Sequence, residues 1–176
     1  VNIESIKEKF LQKDYYVHIA LSPIKNHERL EWFIEKTIEI GIDEISFIDC
    51  DRTLRKNIRI NRINKVAISA MKQTVKAYLP VINDVVSFKS FLKSYEDQAG
   101  YICHLENSRK FSLSHFSNKI KSEKSFIMIG PEGDFSKEEI SLADENNIRA
   151  VTLGQSRLRT ETAGIIACHL INLLNE

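Results

Sequence analysis

The 176-residue chain predicts an α/β domain: a mostly parallel sheet with helices on both faces. Three observations carry that expectation. Short β-rich or apolar runs recur along the chain, stretches with apolar residues at helical spacing separate them, and glycine or proline punctuates the joins. Composition fits, since 43% hydrophobic and 28% charged residues is ordinary globular usage and excludes disorder and collagen. A chain of this size buries a substantial core without disulfides or metal.

Residues 15–21 (YYVHIAL) alternate and are rich in β-formers, and Pro23 closes the run as a strand. Over residues 28–40, Leu30, Phe33, Ile34, Thr37 and Ile38 recur at helical spacing, with Gly41 where a C′ glycine belongs. Residues 44–48 (EISFI) form a second strand, followed by a loop over 49–52. Residues 62–78 carry Ile63, Val66, Ala67, Ala70 and Val75 at helical spacing, and Pro80 stops that helix. A short Ser-capped helix at 87–95 and a third strand at 100–105 follow.

The last third is clearest. Residues 125–129 (SFIMI) are a continuous apolar run, as expected of a strand buried on both faces. Gly130-Pro131-Glu132-Gly133 turns the chain, and Ser136 with Glu139 matches a capping box. A strand at 150–153, a loop at 154–159 and an apolar helix at 160–174 complete the domain. Residues 1–13 fit poorly, and the chain opens on Val1 rather than Met. The expectation is a fragment: residues 14–176 as one domain, and 1–13 as the remnant or linker of an upstream module. There is no internal repeat.

The apolar stretches are far too short to span a bilayer, and no signal segment opens the chain, so a cytoplasmic protein is expected. Cys50, Cys103 and Cys168 are scattered, with no CxxC or Cys/His cluster, which leaves three reduced thiols and no zinc site. The net charge of +1 hides an asymmetry. Residues 52–83 hold eight Lys and Arg and no Asp or Glu, against 17 basic and 24 acidic residues elsewhere. Such a segment is either a solvated helix face or an attractor for a polyanion, with Arg52, Arg55, Arg59 and Arg62 as the candidate contacts.

Two loops follow strands and precede helices, which puts both at the sheet edge where ligands bind in open parallel sheets. In the first, Gly130 and Gly133 permit close backbone approach or positive φ, while Glu132 would repel phosphate. Neither GxGxxG nor GK[ST] is present, so the choice lies between a nucleoside without phosphates and a plain tight turn. In the second, Glu161 complements a helix N-terminus and Thr160 is a plausible N-cap. Two arginines, Arg157 and Arg159, oppose that dipole, which favours an anionic partner for them. His104 at a strand end is a possible base but more simply structural; His18, His27, His115 and His169 form no constellation.

These residues resemble a known family. Ile129-Gly130-Pro131-Glu132-Gly133, Phe135-Ser136, Leu153-Gly154 and Leu158-Arg159-Thr160-Glu161-Thr162-Ala163 are similar to motifs of the ribosomal RNA small subunit methyltransferase E (RsmE) family. Residues 35–45 resemble its "QKATELGVDEI" stretch, Asp51-Arg52 its "ERS", and Ala70-Met71-Lys72-Gln73 with Pro80 its "EAxEQ…P" helix. The likeness spans roughly residues 15–174.

The resemblance implies a SPOUT-class fold with a C-terminal trefoil knot, a homodimer, and an N-terminal PUA-like barrel that grips RNA. It implies S-adenosylmethionine (AdoMet)-dependent methylation of N3 of one uridine in small-subunit (16S) rRNA, with no metal and no membrane. Carried over by motif, the cofactor pocket would include Gly130, Pro131, Glu132, Gly133, Leu153, Gly154 and Leu158, and Arg159 and Glu161 would face the uridine. Glu161 is then either a general base or a partner of the helix dipole or of Arg159. Two departures stand out: Asp134 replaces a second glycine after GPEG, and Arg157 has moved one place from the family pattern. The alternative is a non-catalytic RNA-binding or ribosome-assembly module of the same fold. A dehydrogenase is disfavoured because no GxGxxG follows a strand.

Overall fold

In the computed structural model, residues 2–6, 10, 13–105, 111–116 and 124–175 are described. The chain runs β1 (His18–Leu21), α1 (His27–Ile40), β2 (Glu44–Asp49), α2 (Ile60–Gln73), β3 (Val81–Ser87), α3 (Phe88–Ser94), β4 (Ala99–Cys103) and β5 (Phe111–Ser112). A 3₁₀ turn (Leu113–Phe116), β6 (Ser125–Ile129), α4 (Lys137–Glu145), β7 (Arg149–Thr152) and α5 (Thr160–Asn175) follow. The strands form one seven-stranded sheet in the order β3-β2-β1-β6-β4-β7-β5. Every pairing is parallel.

Both faces of the sheet are covered, as the apolar runs require. Ile19, Leu21, Ile127 and Ile129 point into a core with α1, α2 and α5. Their alternates Ala20, Phe126 and Met128 point into a second core with α3 and α4. Helix α5 lies tight on α1 because position 164 is glycine: a Cβ there would stand 2.5 Å from the Phe33 ring.

The structure departs from the sequence expectation in several places. Residues 81–87, left unassigned from the sequence, are a strand that pairs with β2 through a register shift between Ile45 and Phe47. The helix expected over 62–78 runs over 60–73 instead, and Pro80 is not what stops it. Val75 takes φ 55°, and the Lys76 amide donates to the Met71 carbonyl at 3.0 Å, a Schellman-type ending. Thr160 is the first residue of α5 rather than its cap. The Arg159 carbonyl accepts from the Ala163 amide at 2.8 Å, and the Thr160 hydroxyl donates to the Gly130 carbonyl at 3.0 Å. The other expected strands and helices differ only at their ends, while β5 and the 3₁₀ turn lie in a stretch the sequence left unassigned. The capping box forms in full, with Ser136 and Glu139 bonding reciprocally.

At the amino-terminal edge of the sheet, polar groups turn inward. The Glu44 carboxylate accepts from Tyr95 (2.6 Å), Asn83 (2.7 Å) and Tyr16 (3.0 Å). Burial opposes ionisation of Glu44. These bonds, and an attraction to His18 that operates only once that ring is protonated, more than offset it and hold the carboxyl below its ordinary range. His18 is fully buried, meets the Ser46 hydroxyl at 2.9 Å, and is pushed down to about 4 by burial, against the pull of Glu44.

Candidate active site

The carboxyl-terminal edge carries the two loops. In the first, the Asp134 amide donates to the Pro131 carbonyl at 2.9 Å, and Asp134 takes φ 64°, the left-handed conformation that aspartate tolerates. Its carboxylate accepts from the Leu105 amide at 2.7 Å and the Phe135 amide at 2.9 Å, tying the loop to the end of β4. Neither Gly130 nor Gly133 has positive φ. A Cβ on Gly130 would stand 3.0 Å from the Phe135 ring, and one on Gly133 would stand 3.3 Å from the Arg52 side chain. Both glycines are explained by packing within the protein.

Where the loops meet lies a cavity of about 370 Å³. Gly130, Pro131 and Glu132 are among the residues that line it from the first loop, Leu158, Arg159 and Glu161 among those from the second, and Arg29 and Leu105 reach it from elsewhere. A smaller recess beside it, about 70 Å³, shares Leu105, Leu158 and Ala163 and adds Cys103, His104, Leu153 and Gly154. Of the seven residues the resemblance gives to the cofactor, six line one or both hollows, and Gly133 lines neither. Gly154 has φ 132°, with open space where a Cβ would sit. His104 is buried in the recess wall; Glu106, its sequence neighbour, lies outside the described residues.

The charges at the mouth divide into held and free. Glu161 is 4% exposed, and its carboxylate lies 3.6 Å from the Arg29 guanidinium. The ion pair considered from sequence was with Arg159; the partner is Arg29. Arg29 was missed because no motif marks it. The same signal that marked Arg159, a cation in the first turn of a helix, applies to it: it lies three residues after the Asn26 N-cap of α1. Arg157 and Arg159 are exposed, without hydrogen bonds or ion pairs among the described residues.

The basic segment is less free than its charge suggests. Arg52 donates to the Gly133 carbonyl (2.8 Å) and the Phe135 carbonyl (3.2 Å), and Arg55 to the Lys25 carbonyl (3.3 Å). Arg62 makes a bidentate pair with Glu31 (2.9 and 2.7 Å), which holds that carboxyl below its ordinary range. Arg59, at the α2 N-terminus, makes no side-chain cap and is exposed.

Chemically, the site offers apolar walls, backbone groups at strand ends, a carboxylate on the turn and free guanidinium groups. That suits a flat nucleoside with an amino-acid tail. Ile129, Leu105 and Leu158 can flank a base, Glu132 can meet ribose hydroxyls, and an arginine can meet a carboxylate. Among the described residues no group of three or more His, Cys, Asp or Glu is placed to hold a metal. No helix among them is long and apolar enough to cross a membrane.

Comparison with known proteins agrees with this geometry. The profile of the RNA methyltransferase domain family matches residues 12–172, and the chain belongs to that class. Within it, the chain is a member of the RsmE family, whose solved relatives share its SPOUT-type fold. The ribosomal RNA small subunit methyltransferase E of Bacillus subtilis is 30% identical over 91% of this chain and 66% of its own length. A crystal structure of a probable rRNA-methyltransferase from Porphyromonas gingivalis superposes with a TM-score of 0.83 at 36% identity, covering 92% of this chain and 68% of that one. The Neisseria gonorrhoeae RsmE, solved bound to S-adenosyl methionine, gives 0.79 at 25% identity, covering 90% and 66%. This chain spans about two thirds of the length of each.

Proposed function

We propose that this protein transfers a methyl group from AdoMet to N3 of a specific uridine in small-subunit (16S) rRNA, in the cytoplasm and as a homodimer. The observation that carries the reading is the cavity formed where the GPEG and LRTETA loops meet, which together with the recess beside it is lined by six of the seven cofactor residues that the family motif names. AdoMet supplies an electrophilic methyl group, so no metal is needed for the transfer. The protein must hold the nucleoside, present the uridine and manage its charge.

Apolar residues of both hollows clasp the adenine side, and Glu132 serves the ribose. Uridine N3 carries a proton at neutral pH, so negative charge spreads to its flanking carbonyl oxygens as that proton leaves. Arg159, which lines the cavity and has no partner among the described residues, takes the role of meeting those oxygens. Glu161 is the second group of the site, either taking the N3 proton or fixing Arg29 beside it. A Glu161→Gln variant separates the two: loss of the pH dependence of turnover marks the base, and an unchanged profile marks the fixing role. On the RNA side, exposed Arg59 leads the basic segment, with Arg55 and Arg62 contributing charge while paired. The fold proposed includes the threaded carboxyl terminus that the family implies.

Incubation with AdoMet and small-subunit rRNA or subunits, followed by nucleoside mass spectrometry, tests the reading. The expected product is 3-methyluridine at a single position. Tight RNA binding without any methylated nucleoside would instead make the chain a non-catalytic assembly module.

A further inference from the structure

By charge Arg52 is the first member of a basic segment, but its contacts point inward. Its guanidinium donates through one nitrogen to two carbonyls of the GPEGDF loop, at Gly133 (2.8 Å) and Phe135 (3.2 Å). Its aliphatic stem lies where a side chain on residue 133 would be, with a Cβ there 3.3 to 3.4 Å from Arg52 Cδ and Cβ. A side chain at 133 would thus crowd Arg52 and not the cavity, which residue 133 does not line.

The preceding residue fastens the far end of the same loop. The Ser136 hydroxyl donates to the Asp51 carboxylate at 2.6 Å, and the Asp51 amide donates to Glu139 at 2.9 Å. Ser136 and Glu139 are the two members of the α4 capping box, so the loop after β2 is built into the start of α4. Between this fastening and the end of β6 lie Pro131 and Glu132, which line the cavity.

We infer that Asp51 and Arg52 form a clasp that holds the GPEGDF loop in its ligand-binding shape, and that Arg52 is a positioning residue for methyl transfer rather than an RNA contact. The role rests on reading the cavity as the AdoMet site. It acts through backbone: charge-assisted bonds to two carbonyls fix the turn, and the turn places Pro131 and Glu132.

The test uses the 176-residue chain with the variants Arg52→Ala and Arg52→Lys, and S-adenosylhomocysteine as the calorimetric probe. Removing a charged donor of this kind should weaken ligand binding by about tenfold or more. Arg52→Lys should fall in between, and millimolar guanidinium should restore affinity to the alanine variant while leaving the parent protein unchanged. Amide exchange at Gly133, Asp134 and Phe135 should accelerate, and the salt dependence of RNA binding should not change. Unaltered ligand affinity with an RNA salt slope reduced by roughly one unit would make Arg52 a phosphate contact and overturn the clasp. Should Arg52→Ala fail to fold, Arg52→Lys decides alone, since binding equal to the parent overturns the proposal. A parent protein that binds neither AdoMet nor its product would refute the reading of the cavity. The clasp would then stand or fall on whether loop exchange accelerates in the variants.

Discussion

The two edges of this sheet handle polar groups in opposite ways. At the amino-terminal edge, His18 (through Nε2), Glu44, Ser46 and Asn83 are linked by hydrogen bonds, with Tyr16 and Tyr95 closing the network. At the carboxyl-terminal edge, Arg157 and Arg159 face solvent, and a cavity opens between loops. The first arrangement stabilises a fold, because buried polar groups are costly unless paired. The second holds charge available for something outside the protein. The same parallel architecture thus separates stability and reactivity at its two ends.

The sharpest way to break this contrast is at Arg159. Its replacement by alanine should lower turnover about 100- to 1,000-fold, leave AdoMet affinity within a few-fold, and leave the melting temperature unchanged. Single-turnover rates and calorimetry on the same preparation check this. If affinity falls in step with turnover, Arg159 holds the cofactor and is not the catalytic arginine.

The amino-terminal edge should respond to acid instead. In the folded chain His18 resists protonation until about 4, whereas its ordinary value is 6.5. Between those values the unfolded chain binds the extra proton and the folded one does not, so stability falls as pH drops through that window. The loss should reach about 3 kcal/mol near pH 4. Urea midpoints at pH 7 and pH 4.5 measure it, and a His18→Gln variant should show a shallower pH dependence.

Glu44→Ala removes the acceptor of three donors in a half-buried position. It should cost about 2 kcal/mol in denaturant unfolding and leave methyl transfer untouched at permissive temperature. The smallest effect lies nearby, in the turn that leads into β3. Val75 is 70% exposed and sits at φ 55°, a conformation that disfavours a β-branched residue. Val75→Gly should raise stability by about 1 kcal/mol, read as a higher melting temperature with unchanged turnover.

The same contrast explains what was legible in the sequence. Local chemistry reads well: the Ser136–Glu139 capping box, the continuous apolar run of β6 and the C′ Gly41 each depend on neighbours within a few residues. Strand β3 was hidden because Asn83 and Asp84 interrupt its apolar run, and because it lies at the sheet edge, where both are tolerated. Asn83 is there for Glu44, a partner 39 residues away. At the site, the two motifs identified the cavity walls, but Arg29 and Leu105 arrive from other elements and carry no local signature. The contacts of Arg52 were hidden for the same reason. A run of positive charge is visible in a sequence; a pair of carbonyl oxygens 81 and 83 residues downstream is not.

The sheet order has a kinetic consequence. Its centre is the pairing of β1 with β6, where Leu21 meets Ile129 across roughly a hundred residues of intervening chain. Loop closure over that distance must precede any reward from the contact, which makes folding slow compared with local hairpins or helix pairs. The carboxyl-terminal edge gains its cavity only when that strand docks. A nascent chain can therefore build α1, β2 and the acidic network around Glu44 long before it has anywhere to bind a nucleoside.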